Sequence, residues 1–256
     1  MRKKVAITLI LVFSLLFVSC SKTKDDEVKE INISVAASLL EPINKIIDEY
    51  KVDKNIVINV NSGGSGTLKK QISSGADVGL FISANEKNVD ELISEGLVDA
   101  NKKSNPITNK LVLIKSNNAK QEINDIQDLV KLEGKIAIGE ISTVPAGEYA
   151  KESLVNLEIW DKVQDKIIYC KDVTAVKAYV ERGEVEAGFV YKSDALDIKN
   201  STVVLEVPKD SHKEIIYTMA PIEGYKQSAE CNDFMKYINS DKAKEILKEY
   251  GFSIRE

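Results

Sequence analysis

Four junctions in this chain share one design: an apolar run of strand type ends, a small or polar residue follows, and a helical pattern begins. They are Ala36-Ala37-Ser38, Gly64-Ser65-Gly66, Pro145-Ala146-Gly147 and Asp172-Val173. A helix start presents N–H groups that have no acceptor within the helix, together with a partial positive charge. Residues 171–195 show the design most fully. Asp172 is an N-cap type, Val173, Val176 and Val180 form one apolar face, and Gly183 supplies a stop. The short apolar strand 187–191 then ends on the hydroxyl of Tyr191. These groups are hydrogen-bond donors without charge. Converging on one point, they would hold an oxyanion with no lysine or arginine. Charge-assisted hydrogen bonds contribute about 1.5–3 kcal/mol each, so five would cover the ~8 kcal/mol of micromolar binding.

Each element also has a plainer reading. Ser38 with Glu41 spells Ser-x-x-Glu, a capping box, and a capping hydroxyl can still donate to an anion. Gly63-Gly64-Ser65-Gly66 fits a flexible turn as well as an anion loop, and no Gly-Lys-Ser/Thr follows to make it a P-loop. Pro145 suits the first turn of any helix. The ring of Tyr191 fits a core, with its hydroxyl tied to backbone. The joint occurrence of these features at four helix starts and one strand end separates the two readings.

The elements that must position them follow from periodicity. Residues 31–36 read as a strand. Ile43, Ile46, Ile47 and Tyr50 make a helical stripe, and 56–60 is a second strand running into the glycine-rich turn and a helix through Ile72. A strand at 78–82 and a helix closed by Gly96 complete a β-α-β-α-β-α series. Asn105-Pro106 interrupts it. A second series has strands at 110–114, 135–138, 167–169 and 187–191, with helices at 126–132, 145–157 and 173–182. Strands at 202–206 and 214–219 follow, then helices from Glu230 to Ile238 and from a Ser240 cap to a Gly251 stop. This order predicts an α/β protein of two lobes, each a mostly parallel sheet flanked by helices, joined by two crossing segments. Lobe 1 is expected to take 31–108 and 218–256, and lobe 2 to take 109–217. Ligands of open α/β sheets sit outside the carboxyl ends of the strands, where all four junctions fall.

The N-terminus is of another kind. Arg2, Lys3 and Lys4 precede an apolar run from Val5 to Val18 that is short for a membrane span and fits a signal peptide, residues 1–19. Ser19-Cys20 at its end resembles a bacterial lipobox, with Phe17 where leucine is usual, so Cys20 is the expected lipidation site. Residues 20–30 are polar and charged, as suits a tether. The chain is then extracytoplasmic and membrane-anchored through lipid. Its formal net charge is -5, and it falls to -8 when Arg2, Lys3 and Lys4 leave with the signal. That excludes nucleic acid and a polybasic membrane grip. Cys170 and Cys231 have no metal spacing and are expected to be unpaired thiols. His212 is the only histidine and lies in a polar loop. No cation site and no cofactor motif is visible, and no Ser/His/Asp set supports catalysis. Asp77, Glu148 and Asp172 would be the acids of an exported enzyme, a weaker reading. A surface scaffold would leave the donors without a purpose. A monomer is expected.

Val35-Ala36-Ala37-Ser38-Leu39, Gly64-Ser65-Gly66-Thr67-Leu68, the run from Ala76 to Ala84, Val144-Pro145-Ala146-Gly147-Glu148-Tyr149-Ala150, and Asp172-Val173 through Val190-Tyr191-Lys192-Ser193-Asp194-Ala195 together resemble the extracytoplasmic molybdate-binding proteins of ABC importers. Asp210-Ser211-His212 and Tyr250-Gly251-Phe252 extend the likeness over the whole chain from Ile31. Thr174 departs from it, since many members carry arginine there. The resemblance implies a type II periplasmic-binding-protein fold that captures molybdate, and tungstate with it, and delivers it to permease subunits without catalysis. It also implies the contacts: hydroxyl and backbone N–H groups of Ser38 and Ser65, backbone N–H groups of Ala146 and Val173, and the Tyr191 hydroxyl. Sulfate or another oxyanion is the alternative ligand. Phosphate would need an acceptor for its proton, and those five residues include no carboxylate.

Overall fold

A computed structural model describes residues 28–52 and 54–255. The signal, Cys20 and most of the tether lie outside the described residues. Two mixed sheets carry the chain. The first has six strands in the order β11-β4-β10-β3-β1-β2. Its parallel part is β1 (Lys29–Ala36), β2 (Ile56–Gly63) and β3 (Leu80–Ser83), and its antiparallel part is β10 (Ile215–Pro221), β4 (Ser104–Asn109) and the two-residue β11 (Ser253–Ile254). The second has five strands in the order β7-β6-β8-β5-β9. Here β7 (Ile167–Cys170), β6 (Ile136–Gly139) and β8 (Ala187–Tyr191) run parallel, while β5 (Leu111–Ser116) and β9 (Ser201–Glu206) are antiparallel additions.

The crossings between sheets explain the mixture. Lys110 alone separates β4 from β5, and residues 207–214 separate β9 from β10. The strand that enters each sheet directly from the other, β5 or β10, runs opposite to its neighbours on both sides. β10 begins at Ile215, ahead of the division at 217/218 expected from the sequence.

Helices cover the sheets where apolar stripes predict them. α1 (Leu40–Tyr50) buries Ile43, Ile46, Ile47 and Tyr50 against the first sheet, beside α7 (Ser228–Ile238) and α8 (Asp241–Glu249). α2 (Ser65–Ser73) and α3 (Lys87–Ser94) cover its other face, with Leu68, Ile72, Phe81, Val89 and Leu92 in a separate cluster. Burial on both faces is why the end of β1 has lost the alternation of a half-exposed strand. In the second sheet, α4 (Pro145–Asn156) and α6 (Val173–Glu181) pack on β6 and β8, and the one-turn α5 (Trp160–Val163) follows α4.

Several sequence expectations change. The segment 126–130 is a 3-10 turn, not an α-helix. Pro106 does not end the first series; it lies within β4, past the end of the short β11 pairing, where a missing N–H costs little. β11 itself was not expected: after Gly251 (φ 78) closes α8, Ser253 and Ile254 add to the edge of β4. Cys170 and Cys231 are free and buried, and burial raises both thiol pKa values.

The seat of α4 depends on one glycine. A Cβ at Gly147 would lie 1.9 Å from the Gly139 carbonyl oxygen, a backbone atom of β6 that cannot turn away. Gly147→Ala is therefore expected to destabilise the fold by about 3 kcal/mol, the upper range for overpacking. Urea unfolding checks this, and an unchanged midpoint would mean that α4 slides on β6 without cost.

Candidate functional site

Each of the five residues singled out in the sequence stands at the carboxyl end of a strand. Ser38 follows β1, Ser65 follows β2, Ala146 lies beyond β6, Val173 lies beyond β7, and Tyr191 ends β8. The structure brings all five to the lining of one narrow cleft between the two sheets. Among the described residues, no lysine, arginine, aspartate or glutamate lines it. Ser65 and Val173 are the first residues of α2 and α6, and Ala146 is the second of α4. At those positions an N–H has no carbonyl one turn earlier to accept it. Three helix starts from two sheets therefore point their dipoles into the same small volume.

The helix starts form as their sequences dictate, with one exception. Asp172 caps α6, its Oδ1 accepting from Ala175 N–H at 2.7 Å. Pro145 fixes the first turn of α4. Ser38 is not a cap. It lies inside a 3-10 turn, Ala37–Leu39, and α1 begins one residue later without a side-chain cap. The 3-10 turn swings Ser38 away from the N–H groups of α1 and sets its Oγ 2.8 Å from Tyr217 Oη. Ser65 Oγ accepts from Ala84 N–H at 3.0 Å.

Tyr191 is 1% exposed, and its hydroxyl has no hydrogen-bond partner among the described residues. A buried phenol without a partner costs about 1–3 kcal/mol. An acceptor-rich guest in the cleft would recover that cost. Burial raises its pKa well above the ordinary value, so it remains a neutral donor at physiological pH.

The walls close through bare backbone. Gly66 N–H donates to Thr143 carbonyl oxygen at 2.8 Å, from the first sheet's side to the second's. A Cβ at Gly66 would lie 2.8 Å from Thr143 Cα, and one at Gly64 would lie 2.9 Å from Thr143 oxygen and 3.0 Å from Lys171 oxygen. Asn85 Nδ2 adds a bond to Glu148 at 3.3 Å near the rim.

The acids of the enzyme reading do not assemble. Asp77 accepts from Asn32 at the surface, Asp172 is the cap of α6, and Glu148 faces Asn85 and Lys87. No group of three or more histidine, cysteine or acidic residues among the described residues is placed to hold a metal ion. The larger groove, about 910 Å³, runs between α3 and α4 on the flank. Acidic residues and the lysines Lys87 and Lys213 line it together, and Glu86, Asp90, Glu91, Glu95 and Glu148 are each paired with a lysine. His212 sets its ring 5.8 Å from that of Tyr149, tilted by 53°.

Sequence reasoning missed Tyr217, Asn109 and Asp194. The first two bond at or near Ser38 from positions far along the chain, where no local pattern signals them. Asp194 follows Tyr191 within a 3-10 turn and is buried, and its Oδ2 has no partner among the described residues. Burial pushes its carboxyl up to about 7, opposed by Lys177 and the Tyr191 N–H and reinforced by Asp197 and Asp172.

Residues 31–253 match the model of a family described as bacterial extracellular solute-binding protein. The chain is 39% identical over 234 residues to "Putative ABC transporter substrate-binding lipoprotein YvgL" of Bacillus subtilis, covering 91% of this chain and 90% of that one. It is 35% identical over 231 residues to the molybdate-binding protein ModA of Escherichia coli, covering 88% and 90%. Among solved structures, the Azotobacter vinelandii periplasmic molybdate-binding protein superposes with a TM-score of 0.79 at 21% identity, over 88% of this chain and 100% of that one.

Asp194 gives a pH test. Its folded pKa lies above the unfolded value, so between about pH 4 and 7 the folded chain holds a proton that the unfolded chain releases. Its stabilising contribution is complete below about pH 4 and lost as pH rises through about 7. Asp194→Asn should remove that slope, and wild type should lose about 1–4 kcal/mol more than the variant between pH 4 and 8. Denaturant midpoints across that range measure the difference, and parallel curves would mean that Asp194 ionises freely in the folded protein.

Proposed function

The chain belongs to the bacterial extracellular solute-binding protein family, and from that premise we propose that it captures molybdate outside the membrane and passes it to the permease of an ABC importer. Members of this family bind solutes and catalyse nothing. The observation that carries the ligand class is the Tyr191 hydroxyl, buried and without a partner among the described residues at a point where three helix starts converge. Such a site suits a compact, fully deprotonated tetrahedral oxyanion. Ser38 and Ser65 donate through hydroxyl and N–H, Ala146 and Val173 through N–H, and Tyr191 through its hydroxyl. Molybdate is favoured among oxyanions because the relative at 35% identity is named for binding it. Tungstate matches it in charge and shape, so neutral donors would accept both.

The lobes in this reading are 31–108 with 218–256, and 109–217; they follow the two sheets except at Asn109 and 215–217, which belong to the first sheet, and they close on the ion. Lipidation at Cys20 would hold the protein at the membrane after residues 1–19 are removed, and the B. subtilis relative bears the word lipoprotein in its name. The protein would act as a monomer.

Thermal melts with molybdate, tungstate, sulfate and phosphate test the proposal. A ligand that binds only the folded state stabilises by about 4 kcal/mol at a thousandfold excess over Kd. Large shifts with molybdate and tungstate alone are expected. A shift with sulfate alone would change the ligand and keep the site, and no shift with any of the four would end the oxyanion reading. Tyr191→Phe should weaken molybdate binding by about 1–3 kcal/mol, which calorimetry would read as roughly tenfold to a hundredfold. Equal affinity would take Tyr191 out of the site.

A further inference from the structure

We infer that Asn109 and Tyr217 form a one-way chain of hydrogen bonds that commits the Ser38 hydroxyl to donating into the cleft, and that this chain selects fully deprotonated oxyanions over protonated ones. The inference rests on the oxyanion reading above and names the residues that set its selectivity. The chain starts at the crossing between the sheets. Lys110 N–H donates to Asn109 Oδ1 at 2.8 Å. A backbone N–H has no other role, so it identifies the amide oxygen and leaves Nδ2 on the opposite side. Nδ2 has two hydrogens and no acceptor capacity. One goes to Ser193 Oγ at 2.9 Å and the other to Tyr217 Oη at 3.4 Å.

Tyr217 is 1% exposed, so water does not compete for its hydroxyl. Its oxygen receives a hydrogen from Asn109, and the partner left for its own hydrogen is Ser38 Oγ at 2.8 Å. The reverse orientation would have Ser38 donate to Tyr217. It would leave a buried phenol hydrogen without an acceptor and turn serine lone pairs toward a negative ion, and both are costly. With Tyr217 donating, the single hydrogen of Ser38 is free for an acceptor in the cleft. Ser65 is fixed in the same sense by different means, because Ala84 N–H at 3.0 Å occupies its oxygen and can only donate. Both hydroxyls thus accept one bond from the protein and keep their hydrogens for an acceptor in the cleft.

A fully deprotonated oxyanion offers acceptors alone and meets donors alone. A hydrogen oxyanion brings a hydrogen of its own, which needs a lone pair in the cleft. Tyr217 occupies one lone pair of Ser38 and the Ala84 N–H one of Ser65, so each serine has one acceptor position fewer to offer such a hydrogen. Tyr217 and Asn109 are positioning residues that act through Ser38.

The experiment measures Kd for molybdate, sulfate and hydrogen phosphate by calorimetry on wild type, Tyr217→Phe, Ser38→Ala, the Ser38→Ala/Tyr217→Phe double variant and Asn109→Ala. Tyr217→Phe keeps the ring that packs against Tyr191 and Phe252. It is expected to lose about tenfold in molybdate affinity and to narrow the preference for molybdate over hydrogen phosphate by a similar factor. In the Ser38→Ala background the same change should alter affinity by less than about twofold, since the group it acts through is gone. Asn109→Ala should narrow the preference in the same direction, and it carries the comparison if Tyr217→Phe does not fold. An unchanged preference in the variants, or an equal loss with and without Ser38, would overturn the inference and leave Tyr217 a packing residue. Wild-type protein that binds none of the three ions would instead sink the capture reading on which the inference stands.

Discussion

The close approach of two backbones is the constraint on which the rest of this structure depends. Gly64-Ser65-Gly66 lies against Thr143 and Lys171 with no room for a Cβ at either glycine, and Gly66 N–H bonds directly to the Thr143 carbonyl. Side chains at those positions would hold the two sheets apart by at least their own thickness. The first turns of α2, α4 and α6 then could not share one focus. A site made of N–H groups needs such proximity, because dipolar attraction fades within about a turn of the helix end. The glycines are there for proximity; neither Gly64 nor Gly66 has a positive φ.

That focus favours neutral donors over a charged side chain. A lysine or arginine in the cleft would bind many anions and pay desolvation when empty. Fixed N–H groups are already oriented, so little reorganisation accompanies binding. They also make position the source of discrimination, which puts weight on the residues that hold the donors still. Asn109 shows how this is done: a single amide accepts from Lys110 and donates toward both Ser193 and Tyr217, spanning the crossing between the sheets.

Much of the fold was legible in the sequence because its signals are local. Strand, small residue and helix start recur at 36–38, 64–66, 145–147 and 172–173, and the structure has α-helix starts at the last three, Ser65, Pro145 and Val173. The errors were also local signals, misjudged against tertiary context. Ser38-x-x-Glu41 spells a capping box, yet a 3-10 turn takes Ser38 out of the cap and gives it to Tyr217. Pro106 reads as a breaker, yet a short neighbour leaves it room in β4. Tyr217 and Asn109 were invisible for a different reason. Their partners are determined by how strands align across the crossing, and no periodicity encodes that alignment.

The net negative charge of the chain has a kinetic consequence. A chain of net charge -5, more negative still without Arg2, Lys3 and Lys4, repels an approaching dianion before any donor can reach it. Added salt screens that repulsion, with a Debye length of about 8 Å at physiological ionic strength. Encounter therefore quickens as ionic strength rises, the reverse of an electrostatically steered receptor. Tight binding by such a protein has to come from slow escape, and the Gly66–Thr143 bond across the cleft is one contact that any opening would have to break.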